Sequence, residues 1–341
     1  MDQRTLGRTG VHVSPLCLGT MMFGAWGEPD HDAGIRVIHR ALDAGINFVD
    51  TADVYSRGES ETIVGKALAD GGRRDDVVLA TKFHGTMGDD PNEAGNSRRW
   101  IFRAVEASLR RLQTDWIDLY QVHRWDHWTD HEETLGALTD LVAQGKIRYI
   151  GSSTYPAAQI VQAQWVARER GLARFVCEQP PYSILVRGIE ADVLPTVLEH
   201  GMGAIPWSPL AGGWLSGRWR KGAEPPASSR AKMIPRRYDL SIPANKAKLE
   251  AADALGRLAD EAGMTLIDMS LAFVIRHPAV TAAIIGPRTI EQLESQLGAA
   301  DVVLDDALLD AIDEIVAPGT TINPSDAGWT NPALAPQARR R

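Results

Sequence analysis

Four side chains capable of acid–base chemistry stand at or just after the ends of short apolar runs. Asp50 and Tyr55 belong to the stretch INFVDTADVY, Lys82 ends DVVLATK, and His123 ends IDLYQVH. Short runs rich in β-branched and aromatic residues are typical of buried strands. In a barrel of parallel strands, the carboxyl ends of the strands meet on one face. We therefore expect an acid, a phenol, an amine and an imidazole to lie together there.

A set of this composition would form a site that donates a proton. The pKa of a free tyrosine is ~10, so a phenol alone donates slowly at neutral pH. A nearby lysine cation stabilises the phenolate, and a carboxylate keeps a buried lysine charged. Tyr55, Lys82 and Asp50 supply that relay, and His123 can hydrogen-bond a carbonyl oxygen and orient it. Each residue taken singly has an ordinary structural explanation, so the prediction rests on all four meeting.

The elements that must position these residues alternate between short apolar runs and longer amphipathic stretches. Strands are predicted at 14–19, 46–50, 76–82, 117–122, 147–152, 174–179, 203–207 and 281–285. Helices are predicted near 32–44, 59–70, 98–112, 131–144, 156–170, 189–200, 244–276 and 290–297. Eight strands, each followed by a helix, indicate an α/β fold, a single (β/α)8 TIM barrel. The segment 3–13 predicts an N-terminal β-hairpin that caps the bottom of this barrel.

Two segments interrupt the alternation. Residues 209–243 separate the seventh strand from the next helix and are rich in Gly, Pro and basic residues. Loops of that length without secondary structure are uncommon and usually functional. A C-terminal extra helix is predicted at about 305–315, and the tail from Pro318 is rich in Pro, Ala and Asn. We expect one barrel domain over 1–317 and a poorly ordered tail over 318–341.

Glycines and basic residues follow the last two strands. The stretches PWSPLAGGWLSGR at 206–218 and IIGPRTIEQL at 284–293 occupy the loops where barrels commonly hold phosphate. Seven cations crowd the long segment after the seventh strand: Arg218, Arg220, Lys221, Arg230, Lys232, Arg236 and Arg237. In a chain of net charge −8, this local charge favours a polyanionic ligand, and Arg288 could pair with a further phosphate. A solvated basic loop without a ligand is the alternative.

Composition excludes several classes of function. The net charge of −8 argues against a nucleic-acid surface, which needs clustered Lys and Arg. No apolar stretch approaches the ~20 residues that span a bilayer, and the polar N-terminus MDQRTLGRTG does not resemble a signal peptide. The two cysteines, Cys17 and Cys177, lie in apolar runs and are expected to be reduced core thiols. We expect a cytoplasmic protein without nucleic-acid or membrane partners.

Several stretches together resemble the aldo-keto reductases over roughly 3–315. They are GINFVDTADVYSRGESE, VVLATK, SLRRLQTDWIDLYQVH, GKIRYIGSS, EQPPYS, WSPLAGGWLSGR and IIGPRTIEQLESQLG. The resemblance implies a (β/α)8 barrel, a nicotinamide cofactor, normally NADPH, and reduction of an aldehyde or ketone to an alcohol. Among the branches of the family, the chain is similar to the bacterial and potassium-channel-β-subunit-like ones.

The resemblance assigns a role to each matching position. Tyr55 matches the general acid, Lys82 and Asp50 the pair that activates it, and His123 the residue that orients the carbonyl. Three groups of positions match cofactor contacts: Ser153, Thr154, Gln179 and Trp207 at the nicotinamide, Ser208, Leu210, Gly212 and Ser216 at the pyrophosphate, and Gly286, Arg288, Gln292 and Gln296 at the adenosine phosphate. Thr20, Met21 and Arg218 are expected to contact the cofactor as well.

Four positions depart from the common family pattern. Thr154 stands where most members have Asn, which should loosen the hold on the nicotinamide carboxamide. Gly286 and Pro287 replace a Lys-Ser pair found in many members, and Gln292 stands where those members have Arg. Arg288 is expected to supply the phosphate contact in this branch. NADPH is therefore the expected cofactor, and NADH the less favoured one.

Aromatic residues crowd the loops on the expected catalytic face. The chain contains ten tryptophans, and aromatic walls suit a hydrophobic or planar carbonyl compound. The expected pocket residues are Phe23, Trp26, His84, Arg124 and Trp125. Which carbonyl compound is the physiological substrate does not follow from the sequence, and a monomer is expected with an oligomer left open.

Two other functions compete with the reductase. The first is a cofactor-sensing regulatory subunit with weak or no turnover, as the resemblance to channel β-subunits implies. The second is a metal-dependent hydrolase, suggested by His123, His127 and His131 at spacings of four. Because His123 belongs to a strand end and no second histidine completes H-E-x-x-H at His131, we expect no metal.

Overall fold

Eight parallel strands curl into a barrel that closes on itself. The computed structural model describes residues 1–226, 229–330 and 334–339. After an antiparallel hairpin of β1 (Arg4–Thr5) and β2 (His12–Val13), the barrel strands are β3 (Leu16–Gly19), β4 (Phe48–Asp50), β5 (Val78–Phe83), β6 (Ile117–Val122), β7 (Ile147–Ser153), β8 (Phe175–Gln179), β9 (Gly203–Ala204) and β10 (Ala283–Ile285). Their order is β10-β3-β4-β5-β6-β7-β8-β9, and parallel bridges join Ala204 to Val280 and Trp207 to Ile284. The predicted (β/α)8 barrel is confirmed.

Helices surround the barrel on its outside. They are α1 (His31–Asp43), α2 (Glu59–Ala69), α3 (Arg98–Leu112), α4 (His131–Ala143), α5 (Ala157–Arg170), α6 (Val193–Glu199), α7 (Ser229–Met233), α8 (Pro243–Glu261), α9 (Leu266–Arg276), α10 (Ile290–Leu297), α11 (Asp306–Ile315) and α12 (Pro336–Arg339). Side chains cap several N-termini and accept the otherwise unpaired backbone N–H groups: Asp30, Ser97, Thr265, Thr289 and Asp305. These polar residues directly before apolar periodic stretches explain where the helices begin.

The strands bury side chains on both of their faces. Cys17, Phe48, Ala80, Leu119 and Cys177 form one cluster with no exposed surface, and both cysteines are free thiols. The alternate strand residues belong to a second, larger cluster with the apolar faces of the helices. Each fully buried Leu, Ile, Val or Phe contributes about 1.5–3 kcal/mol. This packing fixes the strand ends against each other.

The N-terminal hairpin lies at the bottom of the barrel, as predicted. Leu6 and Val13 are fully buried in the cluster of barrel residues. Arg4 donates from Nη1 to the carbonyl oxygens of Ile275 and Val280, at 2.8 and 3.2 Å. Because these contacts close the bottom, the opposite end is the open one.

Two helix predictions are wrong in detail. The stretch 244–276 forms two helices, α8 and α9, because Gly263 has φ +69° and Thr265 caps a new N-terminus with its hydroxyl. The stretch 189–200 forms a short 3₁₀ turn, Gly188–Glu190, and then the shorter helix α6, which Asp192 caps. Residues typical of helix boundaries lie at both breaks: Gly263 and Thr265 between α8 and α9, and Asp192 before α6.

The long segment after β9 is held by an aromatic stack. Trp214 and Trp219 stack with ring centroids 4.0 Å apart, and Tyr238 stacks on Trp214 at 5.8 Å. The buried ammonium of Lys248 in α8 lies 4.7 Å from the Trp214 ring centre. Apolar ring area and a cation–π contact therefore order a segment that is rich in Gly and Pro.

Part of the C-terminal tail lies against the barrel. The backbone N–H of Arg187 donates to Thr320 O at 2.8 Å, and the N–H of Ile322 donates to Leu185 O at 3.2 Å. The Asp326 carboxylate accepts from Lys248 Nζ at 2.8 Å. These contacts order residues 320–326, whereas the domain boundary at 317 stays a prediction. No helix in the described part of the chain is long and apolar enough to cross a membrane.

Candidate active site

The four residues from the strand ends meet at the open end of the barrel. Lys82 Nζ donates to Asp50 Oδ2 at 2.6 Å, to Thr51 O at 2.8 Å and to the Tyr55 hydroxyl at 3.4 Å. Lys82 has no exposed surface, and Asp50 is 2% exposed. The His123 ring lies edge-on to the Tyr55 ring, with centroids 5.8 Å apart. The predicted carboxylate–ammonium–phenol relay is thus present as a set of contacts.

The buried ammonium keeps its charge because of its partners. Burial by itself would lower the pKa of Lys82, but attraction to Asp50 and Tyr55 outweighs it, and the pKa is raised from its ordinary value. Asp50 is itself held by two amides, since Gln179 Nε2 and Gln121 Nε2 donate to Oδ1 at 2.9 and 3.1 Å. All of the charge in the relay is therefore paired or hydrogen-bonded.

The imidazole beside the phenol is neutral. Desolvation, followed by repulsion from Lys82, Arg124 and His84, holds the pKa of His123 well below its usual range. A neutral imidazole can donate one hydrogen bond without adding a second cation next to Lys82. His123 is therefore suited to polarise a carbonyl oxygen rather than to transfer a proton itself.

The backbone on this face is held in unusual conformations. Seven described residues other than glycine have positive φ, and six of them follow strand ends on the open face: Ser56, Arg57, His84, Thr154, Ser208 and Ala211. Such conformations cost of order 1–3 kcal/mol each and tend to cluster at functional sites. The exception, Gln113, ends α3.

The predicted nicotinamide contacts lie next to the relay. The backbone carbonyl oxygen of Gln179 accepts from Ser153 Oγ at 2.9 Å and from the N–H of Thr154 at 3.1 Å. Trp207 Nε1 lies 3.4 Å from Thr154 Oγ1. Thr20 is fully buried, and its hydroxyl contacts Asp50 O and Ser60 Oγ. Its role is therefore to hold β3 and β4 together below the site.

The loop after β9 holds several residues in left-handed backbone conformations. Ser208, Ala211, Gly212 and Gly213 all have positive φ. The Gly212 carbonyl oxygen accepts from the Tyr238 hydroxyl at 2.8 Å, and Ser216 Oγ donates to Gly213 O at 2.7 Å. Two further predicted contacts, Leu210 and Arg218, lie in the same loop, half-buried and exposed respectively.

Arg230 is a site residue that the sequence did not single out. It is half-buried, and its Nη2 lies 3.8 Å from the Met21 sulfur, so it brings the basic segment to the end of β3. Burial, in part offset by Tyr238 and Tyr55, lowers the pKa of Arg230. In the sequence, Arg230 was notable only as one of the seven cations in the segment after the seventh strand.

The loop after β10 ends in a capped helix N-terminus. Thr289 caps α10, and Gln292 Oε1 accepts from the backbone N–H of Arg288 at 2.9 Å. Gln296 donates from Nε2 to Gln292 O at 2.6 Å. A side chain at Gly286 would meet no atom within 4 Å, so open space adjoins this position.

Three of the five expected pocket residues, Trp26, His84 and Arg124, lie next to relay residues, and Trp125 follows Arg124 in the chain. Trp26 is 6.2 Å from Tyr55 between ring centroids, and Trp125 is 6.3 Å from Trp329 of the tail. His84 Nδ1 is 2.9 Å from Asn96 Oδ1, and Asn96 Nδ2 donates to the carbonyl oxygen of Arg124 at 3.0 Å.

Phe23 departs from the expectation. It is fully buried and belongs to the packing between barrel and helices, close to Gly34 of α1. The turn Thr20–Phe23, closed by a backbone hydrogen bond of 3.0 Å, directs the ring inward instead of toward the face. It therefore supports the loop that carries Trp26.

Two buried acids behind the site were not foreseen. Burial raises the pKa of Glu178 to about 7, although it accepts hydrogen bonds from Ser152 Oγ at 2.5 Å and Tyr155 N at 3.1 Å. Burial, with repulsion from Glu61, raises the pKa of Asp53 well above its usual range, and neither oxygen of Asp53 has a described partner. Glu178 precedes Gln179 in the chain, and Asp53 lies between Asp50 and Tyr55. The sequence around each acid did not indicate that its side chain would be buried.

The histidine triplet does not gather. His131 Nε2 lies 3.0 Å from Gln159 Oε1, whereas the His127 ring packs on Trp128 at 4.4 Å. Among the described residues, no group of three His, Cys, Asp or Glu side chains has the arrangement of a metal site. His123 contacts Tyr55, so the three rings have separate surroundings.

The family can now be assigned by comparison. A family model described as the aldo/keto reductase family matches residues 15–317, which include every strand of the barrel and all four relay residues. The chain belongs to this family. The predicted resemblance is thereby confirmed, and the protein is an aldo/keto reductase family oxidoreductase.

Curated relatives cover nearly the whole chain. An uncharacterized oxidoreductase of Bacillus subtilis, YrpG, is 41% identical over 325 residues, 92% of this chain and 96% of that protein. A probable voltage-gated potassium channel subunit beta of Arabidopsis thaliana is 35% identical over 93% of this chain and 97% of its own length. Norsolorinic acid reductase B of Dothistroma septosporum is 33% identical over 98% of this chain and 85% of its own length.

Proposed function

We propose that this aldo/keto reductase uses NADPH to reduce an aldehyde or a ketone to an alcohol. The observation that carries the proposal is the contact of Lys82 Nζ with both Asp50 Oδ2 and the Tyr55 hydroxyl, at 2.6 and 3.4 Å. A buried ammonium beside a phenol stabilises the phenolate that is left when the phenol gives up its proton. Reduction of a carbonyl group requires such a proton.

The relay residues divide the work on the carbonyl group. The neutral imidazole of His123 donates a hydrogen bond to the carbonyl oxygen and holds it beside Tyr55. The Tyr55 hydroxyl gives its proton to that oxygen, and the Lys82 cation stabilises the phenolate that remains. Asp50 keeps Lys82 charged and in place. NADPH, when bound, supplies the hydride that adds to the carbonyl carbon.

The residues around the relay fit a dinucleotide. The loop at Ser208–Gly213 combines positive-φ backbone with the adjoining cation Arg230, which suits a pyrophosphate. Trp207 offers a ring face, and Ser153 and Thr154 offer hydroxyls, beside the relay. The open space at Gly286 and the capped N-terminus of α10 suit the far phosphate.

The preference for NADPH over NADH rests on charge. Arg288 at the start of α10 and Arg218 and Arg230 in the long loop are the cations assigned to phosphate. NADPH carries one phosphate group more than NADH, so cations at that end favour NADPH. The aldo/keto reductase family generally uses one of these two cofactors.

A regulatory subunit is the second candidate. The relatives named as probable potassium channel β-subunits motivate it, since they are as long as this chain and 34–35% identical. On this alternative, the same residues hold the cofactor and turnover is weak. A partner protein would then respond to whether the bound cofactor is reduced or oxidised. The relatives named as reductases favour catalysis instead.

The deciding experiment measures NADPH binding and NADPH oxidation in parallel. Binding is followed by quenching of tryptophan fluorescence, and oxidation is followed with aldehydes, quinones and sugar carbonyls. The Tyr55→Phe variant should bind NADPH as the wild type does but lose roughly 10²- to 10⁴-fold in kcat. Tyr149→Phe, toward the other end of the barrel wall, is the matched control and should retain turnover.

The two candidates predict different results. NADPH oxidation that depends on Tyr55 supports the reductase. Tight NADPH binding with no oxidation of any carbonyl compound would favour the regulatory subunit and a search for its partner. The cytoplasmic location, the monomeric state and the absence of nucleic-acid partners stay predictions.

A further inference from the structure

Arg124 brings a cation to the catalytic face without a carboxylate partner. It follows His123 directly and is half-buried. Its Nη1 lies 2.5 Å from His123 O, 3.3 Å from Thr154 Oγ1 and 3.5 Å from Ser153 Oγ, all neutral acceptors. Among the described residues, no carboxylate oxygen lies within 4.0 Å of this guanidinium. The Nε and Nη2 groups have no described partner.

The surroundings make this arrangement costly in the absence of a ligand. Burial lowers the pKa of Arg124, with the Tyr55 phenol and Glu178 acting in the opposite direction and Arg237 adding repulsion. A half-buried guanidinium is normally paired with an anion, because removing its charge from water costs free energy that the pairing offsets. Here the described protein supplies only hydroxyl and carbonyl oxygens.

The other groups on this face do not neutralise the cation. Lys82 and Asp50 cancel each other's charge. His123 and His84 both have pKa values lowered by burial and are neutral. The Asp126 carboxylate accepts from Thr129 Oγ1, Trp128 N and Asn96 N and is occupied by them. The described contacts therefore leave the Arg124 guanidinium, on the same face as the proton donor, hydrogen-bonded only to neutral oxygens.

Aromatic side chains adjoin both groups, the Tyr55 phenol and Arg124: Trp26 packs near Tyr55, and Trp125 follows Arg124 in the chain. Trp26 lies 6.2 Å from Tyr55 between ring centroids. Trp125 pairs with Trp329 at 6.3 Å. A flat apolar body would pack between such rings, with its polar groups at the relay and at Arg124.

We propose that Arg124 determines the substrate class, by pairing with a carboxylate on an aromatic aldehyde or ketone whose carbonyl oxygen lies at Tyr55. This inference rests on the proposed reductase function and deepens it. Arg124 takes no part in the transfer of the proton. It is a specificity residue, whose Nε–Nη2 edge can donate one hydrogen bond to each oxygen of a carboxylate.

The test compares two substrates of similar size that differ in charge, 4-formylbenzoate and its methyl ester, and takes the change in their kcat/KM ratio on mutation as the readout. Wild-type protein should prefer the carboxylate in kcat/KM. Arg124→Met should lower kcat/KM for 4-formylbenzoate roughly 10- to 100-fold more than kcat/KM for the methyl ester, the differential loss expected for a hydrogen bond between charged groups. Arg124→Lys should retain part of the preference. Arg174→Met, an exposed arginine at the start of β8, is the matched control.

A merely structural role for Arg124 would give a different pattern. If Arg124 only supported Ser153 and Thr154, Arg124→Met would reduce the kcat/KM of both substrates by the same factor. An unchanged kcat/KM ratio between the two substrates in Arg124→Met would overturn the inference while leaving the reductase function intact. Higher salt should weaken only the carboxylate's kcat/KM.

Failure of the reductase function is distinguishable from failure of this inference. If the wild type oxidises NADPH with neither substrate, binding of benzoate and of benzamide to the NADP⁺-loaded protein is measured by calorimetry. Benzoate binding that is stronger than benzamide binding and is lost in Arg124→Met supports the anion site. Equal binding of the two, or binding that Arg124→Met leaves unchanged, overturns it.

Discussion

Lys82 donates to Asp50 across 2.6 Å at a point where neither side chain meets solvent. The carboxylate comes from the end of β4 and the ammonium from the neighbouring strand β5. The pair therefore fixes the register of two strand ends while presenting the ammonium to Tyr55. Stability and proton donation depend on the same contact.

Asp50→Asn should destabilise the fold. The variant leaves an ammonium buried without its counter-charge, which typically costs about 3–5 kcal/mol in the free energy of unfolding. Asp140→Asn breaks the exposed pair with Arg98 and should cost about 1 kcal/mol or less. Urea denaturation at neutral pH measures both. Equal decreases in the free energy of unfolding in the two variants would show that burial does not determine how much the Lys82–Asp50 pair contributes to stability.

The same pair gives a pH dependence at high pH. Because the pKa of Lys82 is raised in the folded state, its contribution to stability is fully present below the ordinary lysine value of 10.5. It is lost as the pH rises through the higher folded value. The difference between wild type and Asp50→Asn should therefore shrink only in strongly alkaline solution.

Glu178→Gln should stabilise the protein at alkaline pH and not at acidic pH. The carboxyl pKa rises from 4.5 to about 7 on folding. The wild type therefore loses stability as the pH rises from about 4.5 to 7, by up to about 3 kcal/mol, and the amide does not. Thermal unfolding of both proteins at about pH 4 and about pH 8, on either side of the two pKa values, measures the difference. Exposed Glu169→Gln is the control, and a wild-type/Glu178→Gln difference independent of pH would contradict the prediction.

Arg288→Ala should weaken NADPH binding more than NADH binding. A guanidinium that contacts the additional phosphate contributes roughly 1.5–3 kcal/mol to NADPH alone. Dissociation constants for both cofactors are measured by fluorescence quenching. Arg276→Ala, which removes an exposed pair with Asp306, is the control and should alter neither constant. If the variant weakened NADPH and NADH binding equally, Arg288 would not contact the additional phosphate group.

Gly328→Ala should disturb the cofactor region from the tail. An added Cβ would lie 2.9 Å from Trp207 Cζ2 and 3.1 Å from Thr154 Cγ2, so the tail or Trp207 must move. Gly319→Ala introduces the same positive-φ strain, with φ +73° against +75°, but meets no atom within 4 Å. A larger KM for NADPH in Gly328→Ala than in Gly319→Ala would be the expected result. Identical KM values would show that Trp207 does not depend on the tail.

The sequence predicted the barrel well because its determinants are local. Apolar runs, capping residues and strand-terminal polar residues fix β4, β5 and β6, and the open face follows from the parallel topology. The relay of Asp50, Tyr55 and Lys82 could therefore be assigned before any distance was known. The resemblance of the motifs to one family added the roles.

The remaining features depend on contacts that are remote in sequence. Whether Phe23 points inward is decided by the fit of α1 at Gly34, and the position of Arg230 is decided by the stack of Trp214, Trp219 and Tyr238. The tail docks because Asp326 meets Lys248, 78 residues earlier. A single sequence without distances contains no signal for such pairs.

Closure of the barrel constrains how the chain can be made. Leu16 and Cys17 of β3 pair with Ala283 and Ile284 of β10. One edge of the first barrel strand therefore stays unpaired until the last strand has been synthesised. During synthesis, β3 to β9 can form an open sheet whose two edges stay unpaired until the ribosome has released residue 285. Contacts of such long sequence separation form late and slowly. The newly made protein is therefore most exposed to aggregation, and most dependent on chaperones, in the interval before residue 285 has emerged.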